Sequence, residues 1–217
     1  MADLEGLTTA IEAGDRTAAA RATQQAIDEG YNPQLILDAM TAAMNAVGAR
    51  FQRNEIFVPE MLIAARAMQG ALDILRPLLA ETGAQQVGTY VMGTVKGDVH
   101  DIGKNLVNIM LEGAGFTVHD LGVNVAPEVF IDAINEYKPD IVGFSAFLTT
   151  TMPMFKANIN AFEKAGIRDD VIVMVGGAPV TQEYATAVGA DGYAADASSA
   201  VRLAKDLIAK KRAAVPA

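Results

Sequence analysis

The sequence predicts two structural classes in one chain: a small bundle of four helices, then an α/β domain built on a parallel five-stranded sheet. Three observations carry this expectation. Residues 4–79 place apolar side chains at helical spacing, broken by short Gly or Asn-Pro turns. From residue 87 onward, short and almost wholly apolar stretches alternate with amphipathic ones, as strands covered on both faces by crossover helices require. The period changes around Thr82-Gly83-Ala84-Gln85, which sets the expected domains at 1–84 and 85–217.

Residues 4–12 read as a short helix stopped at Gly14. Asp15 can cap the next, which carries Ala18, Ala19, Ala22 and Ile27 and ends at Gly30. Asn32-Pro33 is a cap followed by proline at the first helical position, and Leu35, Ile36, Ala39, Met40, Ala43, Met44 and Val47 keep helical spacing after it. Past the link 51–59, a fourth helix starts at Pro59, and Met61, Ala65, Met68, Leu72, Leu75 and Leu79 form one buried stripe. Expected strands are 87–95, 116–121, 140–145, 171–175 and 191–194. Expected helices between and after them are 102–112, 127–137, 153–164, 181–188 and 198–210. Five parallel strands fit a flavodoxin-like order, although the residues alone leave the order open.

Composition narrows the function. The 217 residues carry a net charge of -9, which disfavours nucleic acid as a partner, because phosphate contacts need clustered Lys and Arg. Lys210-Lys211-Arg212 is the one basic cluster, read as charge at a helix C-terminus. Cysteine is absent, so thiolate nucleophiles, disulfides, iron–sulfur clusters and cysteine zinc sites are excluded. No signal peptide or apolar run of membrane-spanning length is evident, and a soluble cytoplasmic protein is expected.

Chemistry concentrates in residues 97–105, the loop between the first expected strand and its helix. One of the two histidines, His100, sits there among Gly97, Asp98, Asp101 and Gly103. Imidazole is a metal ligand, but zinc or non-haem iron needs three or more protein ligands, and His119 lacks an HxxH or HExxH companion. A single histidine suffices where a macrocycle supplies the remaining ligands. Gly93-Thr94-Val95-Lys96-Gly97 invites a phosphate-loop reading but matches neither GxxxxGK[ST] nor GxGxxG.

Asp98-x-His100-x-x-Gly103, then Ser145-Ala146-Phe147, then Gly176-Gly177 resembles, in order and spacing, the signature of cobalamin-binding domains of the methionine-synthase type. The resemblance covers nearly the whole chain, since a helical segment precedes the domain in that family. It is closest in kind to the small corrinoid proteins of methyltransferase systems. It implies a B12-binding fold with Rossmann-like strand order 2-1-3-4-5. It implies His100 as the axial ligand below cobalt, base-off and His-on, with Asp98 on the other ring nitrogen and Thr151 behind it where better-known members have serine. Gly97, Val99, Asp101, Ile102 and Gly103 would also contact the cofactor, although Asp101 equally suits a helix cap. Ser145, Phe147, Thr149, Gly176 and Gly177 would line the nucleotide tail, with Ala194, Ala195 and Asp196 touching it. Phe147 departs from the Ser-x-Leu pattern. Phe57, Met61 and Met68 are candidates for a cap over the upper face of the corrin, the alternative for each being core filling.

The implied function is methyl transport on cobalt between a substrate-specific methyltransferase and an acceptor methyltransferase, with tetrahydrofolate or a thiol as acceptor. The chain would be non-catalytic alone and would be served by a reductive activation protein. The donor stays open among methylamine, methanol, betaine and methoxy-aromatic O-demethylation. The alternatives are the cobalamin-binding part of an adenosylcobalamin-dependent mutase, or a cobalamin-dependent sensor. Neither nucleic acid nor membrane is an expected partner.

Overall fold

The computed structural model describes residues 4–82 and 87–214. The chain divides into two compact units, a helical one that runs through the fourth helix and also takes in residues 112–115, and an α/β one made of the rest from Val87 onward. The expected boundary at residue 84 lies outside the described residues.

The helical unit contains α1 (Leu4–Glu12), α2 (Arg16–Asp28), α3 (Pro33–Gln52) and α4 (Val58–Thr82). Asp15 accepts from the Ala18 amide and Asn32 from the Gln34 amide, so both cap residues satisfy N–H groups that a helix start leaves unpaired. At the start of α4 the Glu60 carboxylate reaches back to the Phe57 amide at 3.1 Å. This helix begins at Val58, one residue before the expected Pro59, and it continues through Pro77. Leu7, Ile11, Ile36, Met40, Met44, Met61, Met68 and Leu75 are buried.

The α/β unit contains β1 (Gly88–Thr94), α5 (Ile102–Gly113), β2 (Phe116–Asp120), α6 (Pro127–Tyr137), β3 (Ile141–Ser145), α7 (Pro153–Ala165), a 3-10 turn (Arg168–Asp170), β4 (Ile172–Gly176), α8 (Gln182–Val188), β5 (Gly192–Tyr193) and α9 (Ala197–Ala214). All strand pairs are parallel and the order is β2-β1-β3-β4-β5. Sequence reading extends β1 at both ends, places β4 one residue early, lengthens β5 and misses the 3-10 turn. Val95, read as strand, makes only an isolated bridge to Val125. The core between the sheet and its α6–α7–α8 face holds Val91, Val142, Phe144, Val173, Phe130, Phe155 and Phe162. Gly93 and Gly143 are small for a packing reason: a Cβ would come within 2.7 Å of the Phe130 ring in the first case and 2.5 Å of the Tyr90 ring in the second.

Chain reversal occurs between β1 and β3, whose crossover connections leave in opposite directions. At such a switch point in an open parallel sheet, the loops beyond the strand C-termini part and leave a crevice. Residues 95–101 follow β1 and residues 146–152 follow β3, so both loops open onto that crevice.

Candidate functional site

Asp98 is fully buried at the base of the crevice, whereas the His100 side chain retains 45 % of its exposure. A buried carboxylate must be hydrogen-bonded or neutralised. Here both oxygens are saturated by donors. Oδ1 accepts from the His100 ring Nδ1 at 2.7 Å and from the His100 backbone N–H at 3.1 Å. Oδ2 accepts from the Thr151 hydroxyl at 2.7 Å and from the Phe147 and Leu148 amides at 2.8 and 3.1 Å. Burial by itself would raise the Asp98 carboxyl. The bonds from Thr151, from the ring and backbone of His100 and from Phe147 outweigh it and hold the group well below the usual carboxylate range.

An ionised Asp98 accepts only, so Nδ1 of His100 carries a proton. In a neutral imidazole the lone pair then belongs to Nε2. That tautomer is what a metal-bound histidine adopts when a carboxylate holds its remote nitrogen. Among the described residues no group of three or more His, Cys, Asp or Glu could hold a metal ion. His119 stacks on Tyr137 with ring centroids 3.8 Å apart and supplies no companion ligand. The donor set therefore fits an ion whose other ligands come from a macrocycle.

The surroundings of the pair also suit a large flat group. The β1–α5 loop and the first turn of α5 expose Val99 (69 %) and Ile102 (82 %), and the β3–α7 loop exposes Phe147 (52 %) and Leu148 (39 %). Exposed apolar side chains concentrated on two neighbouring loops mark a surface that is covered when in use. Gly103, the second residue of α5, has nothing within 4 Å of where a Cβ would stand.

Three features that sequence reasoning missed hold the histidine loop in place. Asn124 adopts the left-handed conformation, with φ 56. Its side-chain oxygen accepts from the Gly97 amide at 2.8 Å and its own amide donates to the Asp98 carbonyl at 2.9 Å. Thr94 donates its hydroxyl to the His100 carbonyl at 3.0 Å. Lys104 is buried, with Nζ 2.5 Å from the Asp120 carboxylate and 2.6 Å from Asn105 Oδ1, which ties the first turn of α5 to the end of β2. The Lys104–Asp120 pair joins residues far apart in sequence with no motif to announce it.

Of the other expected residues, Ser145 ends β3 opposite Gly176 of β4, and Thr149 is exposed on the β3–α7 loop. Gly177 has φ +134, and a Cβ there would overlap the Ala146 carbonyl oxygen, so glycine is demanded by its backbone neighbour. Gly97, at φ +86, makes the turn out of β1. Ala194 donates its amide to the Val175 carbonyl at 3.4 Å. Asp196 caps α9 through the Ser199 amide and hydroxyl, both at 2.8 Å. Asp101 accepts from the Asn105 amide through its carbonyl at 2.7 Å, the cap-like role open to it. In the helical unit Phe57 is 64 % exposed, while Met61 and Met68 are buried.

The B12 binding domain family matches residues 88–202, and a second B12 binding domain family matches residues 3–76. Dimethylamine corrinoid protein 1 of Methanosarcina acetivorans is 41 % identical over 207 residues, covering 95 % of this chain and 97 % of that protein. Among solved structures, a cobalamin-binding protein from Desulfitobacterium hafniense DCB-2 superposes with TM-score 0.79 at 31 % identity, covering 95 % of this chain and 99 % of the other. The methanol:cobalamin methyltransferase complex MtaBC from Methanosarcina barkeri contains a chain that superposes with TM-score 0.83 at 30 % identity, covering 95 % of this chain and 79 % of that one.

Proposed function

Because the chain belongs to the B12 binding domain family, and within it to the corrinoid proteins, we propose that it carries a methyl group between two methyltransferases on a corrinoid held base-off and His-on by His100. The observation that carries this reading is the Asp98–His100–Thr151 constellation at the switch point, with Nε2 left as the ring's lone-pair donor. When bound, the corrinoid supplies a cobalt centre able to accept a methyl group and to release it.

The residues of the chain divide the remaining work. His100 would hold the cobalt through Nε2. Asp98 keeps the proton at Nδ1 and so keeps Nε2 a donor. Thr151, through its hydroxyl on Oδ2, keeps that carboxylate in place. Val99, Ile102, Phe147 and Leu148 give the corrin an apolar seat. Gly103 leaves open space at the start of α5 that would admit the nucleotide tail of the corrinoid, and Ser145, Thr149, Gly176, Gly177 and the loop Ala194, Ala195, Asp196 would line it. Phe57 is the exposed candidate of the helical unit for shielding the methyl group; the burial of Met61 and Met68 favours core filling for those two.

The chain is a carrier and not a complete catalyst. It has no cysteine with which to activate a methyl acceptor through zinc-thiolate chemistry. A substrate-specific methyltransferase loads it and an acceptor methyltransferase, using a thiol or tetrahydrofolate, unloads it; a reductive activation protein restores it after oxidation. A methylated amine is the donor this reading favours, supported by the likeness to the dimethylamine corrinoid protein over almost the entire length of both chains.

The test is reconstitution. Cobalamin-loaded, reduced protein is mixed with a dimethylamine-specific methyltransferase and dimethylamine, and separately with a methanol-specific methyltransferase and methanol. The expected result is a change to the methylated absorption spectrum with the amine pair, no change with methanol, and none with either substrate in the absence of its methyltransferase. Methylation by free substrate alone would contradict the carrier role, and methylation by the methanol pair only would contradict the amine assignment.

A further inference from the structure

Phe147 touches both members of the ligand pair by separate means. Its backbone N–H donates to Asp98 Oδ2 at 2.8 Å. Its ring lies on the His100 imidazole, with centroids 4.4 Å apart and planes 28° from parallel. The hydrogen bond from Nδ1 to Asp98 fixes one atom of the imidazole. It leaves the ring able to swing about the Nδ1···Oδ1 line, which sweeps Nε2 through an arc. A flat aromatic face against the imidazole blocks that swing on one side. Two constraints on different atoms therefore define the direction of the Nε2 lone pair, where one would not.

We propose that Phe147 is a positioning residue whose ring clamps the His100 imidazole in its ligand-presenting orientation and so strengthens the histidine–cobalt contact. The inference rests on the assignment of His100 as lower ligand. A leucine, which the Ser-x-Leu pattern would place here, offers apolar bulk but no ring face. The bond to Asp98 comes from the backbone N–H, so a side-chain variant removes the ring and keeps that bond, and in protein without cofactor, where the corrin contact plays no part, it reads the stack alone. With half of its surface already exposed, the side chain contributes little to the core, and its removal leaves the fold intact.

Two measurements test the clamp in wild type, Phe147→Ala, Phe147→Leu and Phe147→Tyr. The first uses protein without cofactor. The ring-proton resonances of His100 should move downfield in the Ala and Leu variants, as the shielding by the Phe147 face is lost, and stay near their wild-type positions in the Tyr variant. His119, stacked on Tyr137, is the internal control in the same spectra. The second uses protein carrying 15N-labelled histidine, loaded with cob(II)alamin and titrated with unlabelled imidazole. Displacement of His100 is read in the electron paramagnetic resonance spectrum as the nitrogen splitting changes from doublet to triplet. An aromatic stack of ordinary strength lowers the half-displacement concentration on the order of three- to tenfold when removed, so that shift is expected for Ala and Leu, with Tyr close to wild type. Equal half-displacement concentrations, or equal resistance to displacement, in wild type, Ala and Leu would overturn the clamp and leave His100 as ligand. A wild-type spectrum with no splitting from labelled histidine would overturn both.

Discussion

Asp98 is surrounded only by donors, and that fact decides what a substitution does. In Asp98→Asn one of the two carboxylate positions becomes an NH2 facing N–H or O–H donors. If the NH2 turns toward His100, the imidazole relieves the clash by accepting at Nδ1 and moving its proton to Nε2, which removes the metal's lone pair. We expect Asp98→Asn to fold with a loss of about 1–3 kcal/mol, read by urea denaturation, and to take up cobalamin with the spectral signature of the histidine ligand weakened relative to wild type. Thr151→Val removes one hydrogen bond to a buried charge and should cost about 1.5–3 kcal/mol, with Thr151→Ser recovering most of it. If Thr151→Val were as stable as wild type, the hydroxyl would not be supporting Asp98. At this scale the sequence made Asp98, His100 and Thr151 legible, because motif spacing survives in a linear reading. The Phe147 stack, the Lys104–Asp120 pair and the Asn124 buttress were not legible. Each depends on where a loop from another strand arrives, and loop placement has no periodicity to read.

The elements were legible in order and type because fully apolar strands and amphipathic helices have different periods, and each is punctuated by Gly, Pro or Asn. Their ends were less so. Val95 has the character of a strand residue but pairs through a single bridge, and β5 is shorter than its sequence pattern because only Gly192 and Tyr193 keep ladder register with β4, the flanking Asp191 and Ala194 amides each making one bond to a β4 carbonyl. Two glycines of the signature separate at this scale. Gly177 is required by the approach of the β3–α7 loop to the end of β4, so Gly177→Ala should lower stability by about 1–3 kcal/mol from the backbone conformation, with the overlap on Ala146 adding to it. Gly103 sits in open space within a helix. Gly103→Ala should leave the cofactor-free protein as stable as wild type or up to about 1 kcal/mol more stable, yet weaken cobalamin binding. Thermal denaturation without cofactor and a cobalamin titration check both; unchanged affinity in Gly103→Ala would remove that glycine from the path of the nucleotide tail.

For the whole molecule, the two units are expected to contribute different things. The α/β unit carries every residue assigned to the lower ligand and the nucleotide tail, so a chain beginning at residue 84 should still bind cobalamin. The helical unit is expected to protect, and the shortened chain should lose reduced cobalt to air oxidation faster than the full chain; equal rates would remove the protective role. No helix among the described residues is long and apolar enough to cross a membrane. The most direct test of the central claim is the axial nitrogen itself. Full-length protein is grown with 15N-labelled histidine, loaded with unlabelled cob(II)alamin and measured by electron paramagnetic resonance. Each cobalt line is expected to split into a doublet, the mark of a labelled imidazole below the metal, and the doublet should vanish in His100→Gly. A triplet from the cofactor's own benzimidazole in the wild-type protein would contradict the assignment of His100 and the base-off, His-on state built on it.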